Sequence, residues 1–185
     1  MPFYLKQGKV PPKRHTQFRN KKGGLFWEEL ISREGFSGIY SNIYHKNPPT
    51  SVEKIGEFKP FKIKPNQDIH HHYHIKTKKI KLGGNAIISR YPLFYNSDLI
   101  IYKSHISQSM DSLFKNGCAD EIMFIHSGIG KFRSNFGNLD LKPGDYLVIP
   151  KGTIWKMDIE EKIRALVVES KYPIETPKRY RNNFG

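Results

Sequence analysis

The sequence predicts an all-β fold in which short strands pair antiparallel into a closed or sandwiched sheet. Two observations support this prediction. The first is a series of short apolar runs in the second half of the chain, at Ile122–Ile125, around Phe132 and at Tyr146–Ile149. The second is the turn chemistry between them, at Ser127–Gly130, Gly137–Asn138 and Lys142–Asp145. Because glycine supplies positive φ and proline presets its own φ, we expect each run to reverse and pair with its neighbour.

Before this region, the sequence predicts an extended arm followed by further strands. Residues 1–24 are too polar for a core element, and a short amphipathic run at Leu25–Ile31 follows them. The next segments are expected to be loops with aromatic anchors, at Glu34–Gly38, Tyr44–His45 and Pro48–Thr50. Because exposed Tyr, Phe and Trp are costly in water, we expect this arm to wrap the sheet or a partner subunit. Further strands are predicted at Phe61–Lys64, His74–Lys76, Ala86–Ser89, Leu99–Tyr102 and Arg164–Glu169.

The spacing of residues within the predicted sheet resembles the two signature stretches of the cupin barrel. Six residues separate Glu121 from Gly128. Five residues separate Gly144 from Pro150, and one more separates Pro150 from Gly152. The resemblance implies a double-stranded β-helix, which is a jelly-roll barrel.

The metal ligands of that barrel are largely missing. Metal-binding cupins carry His-x-His just before the glutamate and another His three residues after the last glycine. In this sequence those places hold Lys115, Asn116 and Gly117, and then Trp155. Because the remaining Glu121 cannot hold a transition metal alone against water, we predict a metal-free barrel in which Glu121 is a structural carboxylate. No catalytic, cofactor-binding or metal-binding residue is therefore predicted in this chain.

Length and composition restrict the class of protein. A chain of 185 residues can bury one core and carry an extension, and its single cysteine, Cys118, excludes an internal disulfide and is typical of the reducing cytoplasm. No apolar run approaches the thickness of a bilayer, so no membrane partner is predicted. The formal charge of +14 raises the question of nucleic acid. We predict no nucleic-acid partner, because the densest basic piece, Lys76–Lys81, lacks stacking aromatics and the remaining charge is scattered.

Histidines are the other candidate ligands. In a strand, His70, His72 and His74 would share one face and could bind zinc or nickel weakly, but no carboxylate or cysteine lies among them. We interpret the His70–His74 run as a variable surface loop. His126 is expected on the sheet face opposite Glu121, so the two cannot easily share a metal. The remaining arm histidines, His15 and His45, are either hydrogen-bonded anchors or without a role.

Both ends of the chain resemble homogentisate 1,2-dioxygenase, especially its bacterial forms. The matching segments are Pro2–Tyr4 with Gly8, Lys13–Arg19, Glu34–Gly38, Tyr44–His45, Pro48–Thr50, Asp120–Glu121 with Gly128, Pro143–Tyr146 with Ile149–Pro150, and Thr176–Asn182. Between Glu53 and Asp111 the resemblance is weak, and the histidine run lies in that region.

The resemblance implies a chemistry that lies outside this chain. Enzymes of this family use a non-haem Fe(II) and O₂ to open the ring of homogentisate, giving maleylacetoacetate in tyrosine and phenylalanine catabolism. Their iron is held by two His and one Glu in the C-terminal half, and they assemble as homo-oligomers that resemble a trimer-based hexamer. The sequence ends at Gly185, before that half begins, so no ligand can be assigned to a residue here.

Three segments and one function are therefore predicted. Residues 1–52 form the arm, 53–170 the degenerate metal-free cupin barrel, and 171–185 the start of a linker to a missing C-terminal catalytic half. We expect the N-terminal portion of homogentisate 1,2-dioxygenase, a structural and oligomerisation half that is inactive alone, with Fe(II), homogentisate and O₂ bound only by the complete enzyme. The alternatives are a free-standing metal-free cupin-like module that binds a ligand or partner, and nucleic-acid binding through the positive charge.

Overall fold

A computed structural model describes residues 17–32, 35–37, 40–58, 72–81 and 83–180. In these residues the regular structure is almost entirely β. The strands are β1 Trp27–Ser32, β2 Tyr40–His45, β3 Arg90–Tyr95, β4 Leu99–Ile106, β5 Phe114–Lys115, β6 Asp120–Ser127, β7 Gly130–Ser134, β8 Gly137–Leu141, β9 Tyr146–Ile149, β10 Ile154–Ile159 and β11 Ile163–Ser170. Short 3-10 helices lie at Gly35–Ser37, Thr77–Lys79 and Lys178–Tyr180. The predicted all-β class is confirmed.

The strands β4 to β11 pair in a nested order. β4 pairs with β11, β5 with β10, β6 with β9 and β7 with β8, always antiparallel. Pairing of β11 with β6 and of β10 with β7 then completes two sheets, with the orders β3-β4-β11-β6-β9 and β5-β10-β7-β8. In a jelly roll the first strand pairs with the last strand and the second strand pairs with the second-last. The predicted double-stranded β-helix is therefore confirmed.

The hydrophobic core lies between the two sheets. Side chains alternate between the two faces of a strand, and along β4, β6 and β11 buried residues recur at every second position. The large buried apolar side chains are Met123, Ile125, Phe132, Leu141, Leu147, Ile149, Trp155, Met157, Ile163 and Val167. Because these groups fill the interior, the barrel is mostly a packed core.

One predicted pairing is wrong. The run at Ile122–Ile125 does not pair with the run around Phe132, because β6 pairs with β9 in the five-stranded sheet while β7 lies in the four-stranded sheet. The intervening turn carries the chain from one sheet to the other. At its Gly128, with φ of 90°, an added Cβ would lie 2.2 Å from the carbonyl oxygen of Lys162, so only glycine allows this close approach. The hairpin between β7 and β8 forms as predicted, although Gly137 already belongs to β8.

Two predicted strands upstream are also wrong. Ala86–Ser89 is a turn, because the side-chain oxygen of Asn85 accepts hydrogen bonds from the backbone N–H groups of Ile87 and Ile88, and the strand begins only at Arg90. His74–Lys76 lies outside any strand, and the backbone continues into the 3-10 helix that follows. Phe61–Lys64 lies outside the described residues. The predictions Leu99–Tyr102 and Arg164–Glu169 are confirmed as parts of β4 and β11.

The described part of the arm is a two-stranded antiparallel sheet. The amphipathic run from Leu25 contributes to β1, and Tyr44–His45, which we expected in a loop, ends β2. A 2.6 Å contact between the Glu29 carboxylate and the Lys115 ammonium joins this sheet to the barrel. Trp27 nevertheless remains 54% exposed. The hairpin is thus attached to the barrel while part of its apolar surface faces outward.

No helix in the described ranges is long and apolar enough to cross a membrane.

Candidate functional site in the barrel interior

The glutamate at the cupin metal position forms a buried ion pair. Glu121 lies on the inward face of β6 and is 1% exposed. The guanidinium of Arg90, at the start of β3, donates two hydrogen bonds to it, of 3.0 Å from Nη1 to Oε1 and 2.8 Å from Nη2 to Oε2. The Arg90 Nε–H is occupied too, by the carbonyl oxygen of Ala86 at 3.0 Å. Bidentate arginine–carboxylate pairs of this kind are strong and geometrically specific.

An asparagine completes the hydrogen bonding of the same carboxylate. Asn116 Nδ2 donates to Glu121 Oε1 at 3.0 Å. Its own Oδ1 accepts from the backbone N–H groups of Cys118 and Ala119 at 3.0 and 3.1 Å, so its orientation is held by the turn that precedes β6. Glu121 therefore accepts three hydrogen bonds, in agreement with its interpretation as a structural carboxylate.

A second glutamate lies beside the pair. Glu169 on β11 is the register partner of Glu121, and its Oε2 lies 3.8 Å from Arg90 Nη1. Burial, followed by the neighbouring Glu121 charge, raises the pKa of the Glu169 carboxyl, while Arg90 and a hydrogen bond from Asn116 oppose this rise. Burial is also the main cause that raises the pKa of Tyr102 to about 12, with the Glu169 charge as the second cause. The cluster therefore holds two carboxyl groups around one guanidinium.

The residues at the other ligand positions do not fit an iron ion. Lys115 points to Glu29 in the arm, and Gly117 has no side chain. Trp155 is 0% exposed and packs between Phe114 and Phe132, with ring centroids 5.7 and 5.4 Å away. Iron at Glu121 would have to displace the Arg90 guanidinium, and the other cupin ligand positions hold no histidine. Across the described residues, no three His, Cys, Asp or Glu side chains are grouped so as to hold a metal ion. That the chain binds no metal stays a prediction.

The structure disperses the candidate histidines. His126 is exposed on the face of β6 opposite Glu121, as the strand alternation predicted. His72 and His74 are exposed, whereas His70, His71 and His15 lie outside the described residues. In the arm, His45 Nε2 lies 2.8 Å from Glu29 Oε2 and is an anchor of the β1–β2 sheet.

The residue that sequence reasoning missed is Arg90. In the sequence, Arg90 is marked only by its position directly after the turn-forming segment at Asn85. Nothing in the local sequence pairs it with Glu121, which lies 31 residues later. The register of β3 on β4 places Arg90 opposite Ser104, on the inward face. The exposed Cys118 also lies near this region, but its thiol is not part of the cluster.

Solved structures that resemble the chain include proteins described as cupins. They include a cupin-2 domain protein from Shewanella frigidimarina (20% identity, 44% of this chain and 79% of that chain, TM-score 0.41). A cupin protein from Bacteroides fragilis has 20% identity, covers 54% of this chain and 87% of its own, and has a TM-score of 0.40. The EutQ protein of Clostridium difficile has 18% identity over 57% of this chain and 91% of its own, with a TM-score of 0.46. Similarity at this level says nothing about a ligand or an activity.

Similarity in sequence identifies the family, whereas the similar structures show only the fold. A protein of Saccharolobus solfataricus named "Putative dioxygenase SSO1533" is 41% identical over the whole of this chain. The chain spans about half the length of this curated relative, 48%. The family model described as "Homogentisate 1,2-dioxygenase N-terminal" matches residues 45–178, which includes every strand of the barrel. The chain therefore belongs to the homogentisate 1,2-dioxygenase N-terminal family.

Proposed function

We propose that this chain is the structural and assembly half of a homogentisate 1,2-dioxygenase, the enzyme that opens the ring of homogentisate to maleylacetoacetate in tyrosine and phenylalanine catabolism. The reaction needs Fe(II) and O₂, and in this proposal both are bound by polypeptide outside the present chain. The chain's own contribution is a rigid barrel and an aromatic arm that pack against the catalytic half or another subunit. We place the complete enzyme in the cytoplasm.

The observation that carries the proposal is the occupied carboxylate of Glu121. A facial iron site needs three protein ligands and open positions for substrate and O₂. Here the single carboxylate is bound by Arg90 and Asn116, and Trp155 fills the space where the second cupin stretch would place a ligand. Two findings support the assignment to this enzyme, namely the family match and a dioxygenase relative of about twice the length.

The direct experiment measures iron and O₂ uptake. The purified chain is incubated with ferrous iron and ascorbate, assayed for bound iron, and then given homogentisate. The full-length Saccharolobus relative serves as the control for the assay conditions. We expect less than stoichiometric iron and no ring cleavage from the chain alone, and O₂ uptake when the remaining half of the relative is added. Turnover by the isolated chain at the rate of the full-length control would contradict the proposal.

Assembly is the second part of the proposal. The arm exposes several large apolar side chains, including Trp27 and Phe36 at 54% and 86% exposure, and such side chains are often buried in protein interfaces. We expect sedimentation of the chain together with its catalytic half to show a trimer or hexamer. Replacing Trp27 and Phe36 with Ser should lower the assembly state, with Phe136→Ser, an exposed aromatic in the turn between β7 and β8, as the control. A monodisperse monomer would favour the alternative of a free-standing binding module.

A further inference from the structure

A cavity of about 980 Å³ lies on the outer surface of the five-stranded sheet. Its floor is formed by outward-facing side chains of β4, β11 and β6, and its wall by the segment at Thr77–Lys81 together with Leu93 of β3. Glu121 and Arg90 lie on the opposite, inward face of the same sheet. The cavity is therefore separate from the barrel interior and from the position that metals occupy in other cupins.

The charged groups that line this cavity, among the residues the structure describes, all have the same sign. The basic side chains are Lys78, Lys81, Lys103, Arg164, His105 and His126, and no described Asp or Glu lines the cavity. His105 and Arg164 are direct cross-strand partners, and Lys103 lies two residues along β4 on the same face. None of these six side chains forms an ion pair with a described residue. Cations gathered in a concave site repel one another, and the resulting potential favours an anion.

The floor of the cavity is apolar between these cations. Leu166 on β11 is the register partner of both Lys103 on β4 and Phe124 on β6. Leu166 is 41% exposed, which is high for a leucine in the middle of a central strand. Ile80 and Leu93 add apolar surface at the wall. The Cβ atoms of directly opposed residues in a sheet lie about 5 Å apart, so a ring placed on Leu166 and Phe124 lies beside the Lys103 side chain.

We propose that this cavity binds a small organic anion with an apolar body, a carboxylate or phosphate monoester that carries an aromatic ring. Arg164 and Lys103 bind the acidic group, because a guanidinium matches two oxygens of a carboxylate or phosphate and the ammonium adds a compact charge. Leu166 and Phe124 contact the ring. The Lys103 ammonium is already positioned, since it donates to the carbonyl oxygen of Thr77 at 2.6 Å. Cavities of this size and mixed lining are typical of small-molecule sites.

Three probe ligands distinguish binding of the acidic group from binding of the ring. Phenylacetate carries the ring and the charge, acetate only the charge, and 2-phenylethanol only the ring. Titration calorimetry on the chain should show phenylacetate binding about tenfold or more tightly than either, a difference of about 1.4 kcal/mol. On addition of phenylacetate, the NMR chemical shifts of backbone amides in β4 and β11 around Lys103 and Leu166 should change. Equal affinity for all three probes, no binding at millimolar concentration, or shifts confined to other strands would each overturn the proposal.

Charge variants test which residues bind the acidic group. Arg164→Gln and Lys103→Gln should each weaken phenylacetate binding about tenfold, as expected for the loss of one charge-assisted contact, and leave 2-phenylethanol unchanged. Lys142→Gln is the matched control, because Lys142 is exposed in the turn before β9 and does not line the cavity. Arg164 is itself exposed, so its replacement should not impair folding, which circular dichroism checks. Unchanged phenylacetate affinity in both pocket variants would refute the site.

An apolar variant tests the ring contact. Leu166→Ser should reduce phenylacetate binding toward that of acetate while leaving acetate itself unaffected. Inorganic phosphate, which has no ring, should bind as weakly as acetate and should not respond to Leu166→Ser. If Leu166→Ser leaves phenylacetate binding unchanged, the cavity recognises charge alone and the proposed ligand class is wrong. None of these readouts depends on iron or ring cleavage, so they stand apart from the proposed dioxygenase function.

Discussion

At the scale of single residues, Arg90 is the positively charged partner of the buried Glu121 carboxylate. A buried carboxylate must be paired or hydrogen-bonded, because an isolated charge in the interior is very costly. Arg90, with its side chain 8% exposed, supplies that partner. The pair is thus explained as a buried carboxylate whose charge is balanced by one guanidinium, in an interior that is otherwise largely apolar.

Breaking this pair should destabilise the barrel. Glu121→Gln leaves the buried Arg90 without its main counter-ion, and removal of one partner from a buried pair costs about 3–5 kcal/mol. Urea unfolding followed by tryptophan fluorescence measures the change. Asp140→Asn, at an ion pair with Lys131 where the aspartate side chain is 86% exposed, is the control and should change stability by less than about 1 kcal/mol. Equal effects of the two variants would show that Glu121 and Arg90 are not coupled as described.

Replacing the neighbouring Glu169 should stabilise the protein, whereas replacing Glu121 should destabilise it. The size of the stabilisation should depend on pH. Its pKa is raised above 4.5 in the fold, so the folded state binds this proton more tightly than the unfolded chain. The stability linked to that proton is present below pH 4.5 and is lost as pH rises through the folded pKa. Glu169→Gln should therefore stabilise the protein at neutral pH.

The pH profile provides the check on Glu169. The gain from Glu169→Gln should shrink as the pH falls, because the wild-type carboxyl is then neutral as well. Melting temperatures of wild type and variant between acidic and neutral pH measure this difference. Glu161→Gln, an exposed glutamate in the turn between β10 and β11, should show no comparable trend. A gain that stays constant or grows toward low pH would rule out burial of the charged form as the cause.

At the scale of elements, the turn after β6 decides which sheet receives the next strand. The backbone of this turn lies directly against the turn between β10 and β11, since an added Cβ at Gly128 would lie 2.2 Å from the Lys162 oxygen. The backbone N–H groups of Glu160 and Glu161 also donate to the carbonyl oxygen of Ile129, both at 3.0 Å. Two turns at one end of the barrel are thereby locked together.

Two glycines allow the crowding at this turn to be separated from backbone conformation. Gly128 and Gly144 have φ of 90° and 93°, but only Gly128 has atoms close to the added Cβ. Gly144→Ala should cost about 1–2 kcal/mol, the usual cost of a left-handed non-glycine residue. Gly128→Ala should cost clearly more, because the backbone of Lys162 must also move. Chemical denaturation of both variants measures the difference, and equal losses would mean that the contact is not tight.

At the scale of the whole molecule, one buried aspartate joins the barrel to the segment that follows it. Asp120 is 2% exposed, and its carboxylate accepts 2.9 Å hydrogen bonds from the N–H groups of Lys151 and Ile174. The chain after β11 is held further by the N–H of Lys171, which donates to the carbonyl oxygen of Asp98 at 3.0 Å. The segment that we predicted as the start of a linker is therefore attached along the barrel as far as Ile174.

Replacing this aspartate should loosen the attachment. In Asp120→Asn one carboxylate oxygen becomes an NH₂ group that cannot accept, so one of the two backbone N–H groups loses its partner at a cost of about 1–3 kcal/mol. Hydrogen exchange should show faster exchange at Ile174 or Lys151. Asp98→Asn is the control, because Asp98 is exposed and its contact with Lys171 uses only the backbone oxygen. Unchanged protection at both amides would contradict the tether.

Much of the barrel could be predicted from local sequence. Alternating apolar residues and glycine-rich turns indicated the strands around Phe124, Phe132 and Leu147, and the same alternation placed Glu121 inward and His126 outward. The errors arose where a local rule competed with longer-range structure. Ala86–Ser89 has the composition of a strand, but the Asn85 side chain binds the backbone N–H groups that a strand would need.

The sequence by itself determined the all-β class, the absence of the imidazole ligands and the resemblance to one enzyme family, because strand periodicity, turn residues and ligand identity are local properties of the chain. Only the tertiary structure decided that β6 pairs with β9, that Arg90 is the partner of Glu121, and that Lys103, Arg164 and Leu166 line one cavity. Those contacts join residues far apart in the chain. Sheet register and the crossing between sheets bring them together, and both depend on how the whole core packs.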